Sequence, residues 1–140
     1  MESRLHVPGR FDRLEQIAKF IEQAGAEAGL DETAICRCQL AVDEACTNII
    51  EHGYEGEGRG DLDIVCEPGD GELTITIEDQ AKPFDPDAVP EPHLNTTLED
   101  IQIGGLGMYF MHQVMDAVEF QSEPGKNRLV LVKRRENGAA

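Results

Sequence analysis

Basic residues are scarce in this sequence of 140 residues, and that scarcity excludes several classes of partner. Lysine and arginine total 12 against 28 aspartate and glutamate residues, so the formal net charge is -16. Nucleic acids and anionic membranes are bound by basic patches, so neither is an expected partner. The negative charge is explained by solubility alone or by a basic protein partner.

Long apolar runs and metal-binding cysteine patterns are also lacking. No run could span a bilayer, and the N-terminus has no apolar signal region, so we expect a cytoplasmic location. The four cysteines form no C-x-x-C pair, and no histidine pair has zinc-finger spacing. We interpret Cys36, Cys38, Cys46 and Cys66 as small core or half-buried residues.

The hydrophobic pattern predicts a single domain over residues 1–140, with 134–140 as a frayed tail. Apolar residues at helical spacing predict helices over about 11–28 and 31–52, and a third helix after the glycines at 104–107. Asp31 is the expected N-cap of the second helix. Alternating apolar residues predict five strands, at 4–7, 61–67, 72–78, 117–122 and 128–133. The expected fold is an α+β two-layer sandwich, with helices on one face of a mixed, mostly antiparallel sheet.

Three sets of polar or glycine residues could carry chemistry. Glu44 and Asn48 lie one helical turn apart, with His52 a further turn on, so a carboxylate could act beside an amide that binds Mg²⁺. Asp79 ends an alternating strand, and its carboxylate suits an amino group such as that of adenine. The glycine run 104–107 opens a helix whose free amides could face phosphates. Each set alone has an ordinary alternative: a solvated helix face, a turn aspartate and a glycine-rich turn.

The order of these features along the chain resembles that of the GHKL (Bergerat-fold) ATPases. Residues 41–54, AVDEACTNIIEHGY, are similar to the N box of the anti-sigma-factor serine/threonine kinases. Residues 78–86, EDQAKPFDP, resemble the first glycine box, and residues 104–110, GGLGMYF, resemble the second. The resemblance covers nearly the whole chain, from about Leu5 to Arg134.

This resemblance implies a Mg-ATP-dependent kinase with assigned residue roles. Asn48 would ligate the Mg²⁺ bound to the ATP phosphates, Glu44 would be the general base toward a Ser or Thr hydroxyl, and Asp79 would bind the adenine amino group. The other expected nucleotide-binding residues come from the two glycine boxes: Ala81, Pro83, Phe84, Gly104, Gly105, Leu106 and Gly107. The implied partners are an anti-sigma-factor antagonist as substrate, a sigma factor that the kinase sequesters, and a second copy in a homodimer.

Two departures from the family pattern leave alternatives open. Ala81 stands where the first glycine box commonly has glycine, which predicts a slightly reshaped adenine pocket. Residues 87–107 contain no lysine or arginine to stabilise the charge that develops during phosphoryl transfer. The alternative is therefore an ATP-binding partner-switching regulator with little or no kinase activity. A detached histidine-kinase domain acting in trans is a third hypothesis, which the Glu-Ala-x-x-Asn form of the N box and the short loop disfavour.

Overall fold

Three α-helices and five strands make up the described part of the chain. The structure is a computed structural model that describes residues 1–82 and 105–136, and for residues 105–109 only the backbone. In chain order the elements are β1 (Ser3–Pro8), a 3-10 turn (Phe11–Arg13), α1 (Leu14–Glu27), α2 (Glu32–Asn48), a π-helical turn (Ile49–Gly53), β2 (Asp61–Pro68), β3 (Glu72–Asp79), α3 (Gly105–Val114), β4 (Ala117–Glu123) and β5 (Lys126–Arg134).

The strands form one sheet in the order β1-β2-β3-β5-β4. All four pairings between these strands are antiparallel, and the two hairpins that the alternating pattern predicts, β2–β3 and β4–β5, are both present. The pairing of β3 with β5 joins the hairpins and places Asp79, the last residue of β3, directly opposite Asn127. This register matters for function because it brings the second hairpin to the predicted adenine-binding residue.

One face of the sheet is apolar and packs under the helices. Along β3, Leu73, Ile75 and Ile77 are buried and alternate with half-buried polar residues, as a sheet covered on one side requires. The helices contribute their buried faces to the same core, including Ile17 and Ile21 of α1. The predicted two-layer α+β fold is therefore confirmed.

The cysteine interpretation holds for three residues and is wrong for Cys36, which lies on the solvent side of α2. Cys38, Cys46 and Cys66 are buried and Cys36 is exposed, and all four are free thiols. Burial raises the pKa of the three buried thiols to about 12. They are therefore small, protonated core residues at neutral pH.

The second helix starts after the predicted N-cap residue but ends earlier than predicted. Asp31 is its N-cap residue, but the carboxylate makes no capping bond; Oδ1 instead accepts a hydrogen bond from the backbone N–H of Glu136 at 2.9 Å. At the other end α2 stops at Asn48, and residues 49–53 form a π-helical turn. The wider π turn changes the register, so His52 does not simply continue the line of Glu44 and Asn48.

The predicted C-terminal tail is held by strand pairing, hydrogen bonds and ion pairs over the part that the structure describes. Arg134 is still in β5. Glu136 accepts a hydrogen bond from the buried Lys133 ammonium at 3.1 Å and forms an ion pair with Arg37 at 2.9 Å. The expectation of fraying from residue 134 was wrong for these residues, because buried and long-range partners hold them. Residues 137–140 lie outside the described part.

None of the helices within residues 1–82 and 105–136 has the length and apolar character needed to cross a membrane.

Candidate nucleotide-binding site

Asp79 lies where the apolar face of β3 ends, and its side chain is 4% exposed. Burial raises its pKa above the ordinary value, while hydrogen bonds from Asn127 and from the Ala81 backbone act in the opposite direction. A carboxylate placed so deep is costly unless it is hydrogen-bonded. Asp79 is therefore a buried, hydrogen-bonded polar residue beside the apolar layer and not a turn residue at the surface.

The two oxygens of Asp79 have different surroundings. Oδ1 accepts hydrogen bonds from the backbone N–H of Ala81 at 2.8 Å and from Nδ2 of Asn127 at 2.9 Å. Oδ2 accepts no hydrogen bond from any residue that the structure describes. One oxygen is thus occupied by the protein, and the other is an acceptor available to the donor group of a ligand.

Asn127 is the residue that holds this arrangement, and its importance is not evident from the sequence. The pattern predicts a turn at 123–127, but β5 begins at Lys126, so Asn127 is in the strand and points to the inner face. Its Nδ2 also donates to the carbonyls of Ala81 and Lys82 at 3.3 and 3.2 Å, and its Oδ1 accepts from Ser122 Oγ at 2.9 Å. Because the serine hydroxyl can donate to Oδ1, the amide is oriented with Nδ2 toward Asp79.

Ala81 fits its position without backbone strain. It is 8% exposed, and Glu55 is the one non-glycine residue with a positive φ among residues 1–82 and 105–136. The left-handed conformation that favours glycine is therefore not required at position 81. The glycine that the family pattern has here is replaced at no conformational cost.

Glu44 and Asn48 lie on the last two turns of α2 and are both half-buried. Neither side chain makes a hydrogen bond or an ion pair with a residue in the described ranges. The π-helical turn begins directly after Asn48, and such turns are frequent at functional sites. Among the described residues, nothing competes with a ligand or a metal ion for these two polar groups.

The glycine-rich segment opens a helix as predicted. Gly105, Leu106 and Gly107 form the first turn of α3, which packs against α2, the helix that carries Glu44 and Asn48. Gly104, Pro83 and Phe84, also predicted to bind the nucleotide, lie outside the described residues.

No group of three or more histidine, cysteine, aspartate or glutamate side chains could hold a metal within the described part of the chain. A resident metal centre made of protein ligands alone is not found there.

The class of protein follows from the fold and from the match to a family model. Residues 7–133 match the family model of the histidine kinase-like ATPase domain. The chain belongs to this family, as the sequence resemblance predicts.

Curated relatives are anti-sigma factors and serine-protein kinases. The anti-sigma F factor of Clostridium botulinum is 38% identical over 122 residues, which are 86% of this chain and 82% of that protein. The serine-protein kinase RsbW of Bacillus velezensis is 34% identical over 91 residues, which are 62% of this chain and 57% of that protein.

Two solved structures share the fold. The RsbU and RsbW domains of a Mycobacterium tuberculosis protein superpose with a TM-score of 0.65 at 17% identity, covering 94% of this chain and 32% of that chain. A blue-light activated histidine kinase of Erythrobacter litoralis superposes with a TM-score of 0.55 at 17% identity, covering 91% of this chain and 61% of that chain.

Proposed function

We propose that this chain is an anti-sigma factor serine/threonine protein kinase that uses Mg-ATP. The observation that carries the proposal is the buried Asp79, which has one oxygen occupied by Asn127 and Ala81 and the other available to a ligand. Membership of the ATPase family and relatives named anti-sigma F factor and serine-protein kinase support the same activity.

The adenine end of the proposed site is built around Asp79 Oδ2, which would accept a hydrogen bond from the exocyclic amino group of adenine. Guanine presents a carbonyl oxygen at that ring position, and two acceptors in contact repel each other. The site should therefore prefer ATP to GTP. Ala81, Pro83 and Phe84 would complete the pocket around the base.

The phosphate end would be formed by α2 and by the segment that opens α3. The amide oxygen of Asn48 is a hard, neutral ligand suited to a Mg²⁺ ion that also binds substrate phosphates. Gly104, Gly105, Leu106 and Gly107 would bring backbone amides close to those phosphates. A protein with a net charge of -16 needs such ligands, because it has few cations to hold a nucleotide.

Glu44 is the proposed general base. Its carboxylate would accept the proton of a Ser or Thr hydroxyl on the substrate protein as the hydroxyl oxygen bonds to the γ-phosphorus. The bond from that phosphorus to the β,γ-bridging oxygen breaks, and ADP leaves. Bound Mg-ATP supplies the transferable phosphoryl group, and Glu44 supplies the position and the proton acceptor.

The proposed substrate protein is an anti-sigma-factor antagonist, and the proposed second partner is a sigma factor. Both follow from the names of the relatives and from the resemblance of the N box. We further propose a homodimer, a single domain over residues 1–140 and a cytoplasmic location.

The test is transfer of labelled γ-phosphate from Mg-ATP to a purified antagonist, comparing the wild type with Glu44→Gln. Loss of the base should slow transfer by about 10²- to 10⁴-fold while ATP affinity stays within about twofold. Glu51→Gln, at an exposed glutamate in the π turn, is the matched control and should transfer at the wild-type rate.

Three other outcomes would redirect the proposal. Equal rates in wild type and Glu44→Gln would overturn the assigned base. Mg-ATP binding without transfer by the wild type would favour the partner-switching regulator, which the absence of lysine and arginine from residues 87–107 motivates. Acid-labile label on a histidine would favour a histidine kinase.

A further inference from the structure

The last residue of the π turn and the two residues after it contact the turn that follows β3. Three consecutive residues on each side meet, and we call this set the 53–55/80–82 clamp. Its members are Gly53, Tyr54, Glu55, Gln80, Ala81 and Lys82. Each side of the clamp follows one end of the candidate site along the chain, since Asn48 directly precedes the π turn and Asp79 directly precedes the second turn.

Gly53 and Ala81 form the closest contact of the clamp. A Cβ atom on Gly53 would lie 2.9 Å from the Cβ atom of Ala81, a separation that real structures essentially never show. Ala81 is buried, and its N–H donates to Asp79, so it has little freedom to move away. The absence of a side chain at position 53 thus allows the extra methyl group at position 81.

Tyr54 provides a polar link beside this contact. Its hydroxyl donates to the carbonyl of Asp61 at 2.8 Å and accepts from the backbone N–H of Gln80 at 2.9 Å. The ring packs over Gly60, where any Cβ atom would overlap it. The Tyr54 hydroxyl therefore fixes the position of residue 80, immediately after Asp79.

The third contact is an ion pair between Lys82 Nζ and Glu55 Oε1 at 2.8 Å. Both side chains are more than half exposed. Exposed ion pairs contribute little, so the clamp depends on the first two contacts.

We propose that Gly53 and Tyr54 are positioning residues that fix the distance between the adenine-binding carboxylate and the metal-binding amide. This inference rests on the proposed roles of Asp79 and Asn48. It assigns a physical role to the His-Gly-Tyr sequence that ends the N box. A nucleotide that reaches both ends benefits from the fixed spacing, whereas a fragment that reaches one end does not.

The first test is a double-mutant cycle on Gly53 and Ala81, with Mg-ATP affinity measured by calorimetry. Gly53→Ala should weaken Mg-ATP binding at least tenfold, because the new methyl group pushes residue 53 and the end of α2 away from the 79–82 turn, which is held in place. Ala81→Gly, at a residue of the proposed adenine pocket, supplies the reference affinity for the cycle. The double variant should bind Mg-ATP within threefold of Ala81→Gly, because removing the Ala81 methyl group restores the space.

Controls separate positioning from damage to the fold. Gly53 has no positive φ, so Ala by itself favours this helical turn. Gly69→Ala, at the far end of β3 and also without a positive φ, should leave affinity unchanged. Adenosine, which reaches only the Asp79 end, should bind Gly53→Ala and wild type equally.

Tyr54→Phe is the second test, since it removes the hydroxyl and keeps the ring. It should weaken Mg-ATP binding threefold or more without altering adenosine binding. Equal Mg-ATP affinity in wild type, Gly53→Ala and Tyr54→Phe would overturn the clamp while leaving the proposed function intact. Failure of the wild type to bind Mg-ATP would overturn the proposed function and the clamp together.

Discussion

At the adenine end of the candidate site the polar groups already have protein partners, whereas at the phosphate end they have none among the described residues. Asn127 uses both its amide nitrogen and its oxygen, and only Oδ2 of Asp79 lacks a partner among the described residues. Glu44 and Asn48 stand half-buried on α2 without a hydrogen bond or ion pair to residues 1–82 or 105–136. The base would therefore meet a preformed acceptor, while the phosphates and their metal would complete the other end.

This difference has a physical reason. Recognition of a planar base by one carboxylate depends on a fixed direction, and preorganisation lowers the entropy cost of binding. A metal ion with several waters tolerates more variation in its protein ligand. This would explain why the buried hydrogen bonds lie at the proposed adenine end, where direction matters most.

The largest expected effect is on the free energy of unfolding. It comes from an Asn-to-Asp substitution, which we compare at the two ends of the candidate site in separate variants. Asn127→Asp replaces the amide NH₂ group that faces Asp79 and the 81–82 carbonyls with a carboxylate, so the free energy of unfolding should fall by about 3 kcal/mol or more. Asn48→Asp, at a half-buried site without described partners, should change it by less than about 0.5 kcal/mol. Urea denaturation of both variants at neutral pH provides the measurement.

The pH dependence of Asn127→Asp supplies an internal check. Two adjacent buried carboxyl groups cannot both ionise cheaply, so the loss of stability should shrink as the pH falls and one of them is protonated. Equal losses for the two variants, or a loss independent of pH, would contradict the contrast between a closed and an open end.

A smaller effect should appear in the Mg²⁺ dependence of ATP affinity, because only the phosphate end of the candidate site is proposed to bind the metal ion. Mg²⁺ should increase the ATP affinity of the wild type, and Asn48→Ala should lose about tenfold of that increase, or about 1.4 kcal/mol. Adenosine affinity should not change, because adenosine does not reach Asn48. Titrations with Mg²⁺ and with EDTA measure both quantities.

Asp79→Asn is the complementary variant for the metal experiment. It should weaken adenosine and ATP alike and retain the gain from Mg²⁺. If Asn48→Ala kept the full gain from Mg²⁺, Asn48 would not be the metal ligand.

Local patterns in the sequence are sufficient for most of the fold. The alternation of Leu73, Ile75 and Ile77 predicts β3 and places Asp79 on the same inner face, where the structure has it. The glycines at 105 and 107 predict the start of α3 correctly. In both cases the signal lies within one element, so periodicity alone can find it.

Contacts between distant segments could not be predicted in this way. Asn127 follows Pro-Gly-Lys and has the sequence context of a turn, and its role arises only because β5 pairs with β3, 48 residues away. The π turn after Asn48 has no local marker either, since the predicted helix continues through residues 49–52. Both features depend on tertiary packing, which overrides local preference.

The smallest expected effect comes from His6 on β1, which belongs to neither end of the candidate site. Its ring nitrogens contact Asp63 and, at 3.1 Å, Asp61 on the neighbouring strand β2. The hydrogen bond and charge of Asp63, and then the charge of Asp61, raise the pKa of His6 above 6.5. A raised pKa in the folded state means that the stabilisation is fully present below pH 6.5 and disappears as the pH rises through the folded value. Wild type should therefore exceed His6→Gln in urea midpoint at pH 6 by more than at pH 9, while the ATP affinities of the two proteins stay equal. A difference in ATP affinity would show that the edge strand influences the site, and the contrast between its two ends would then have to include β1.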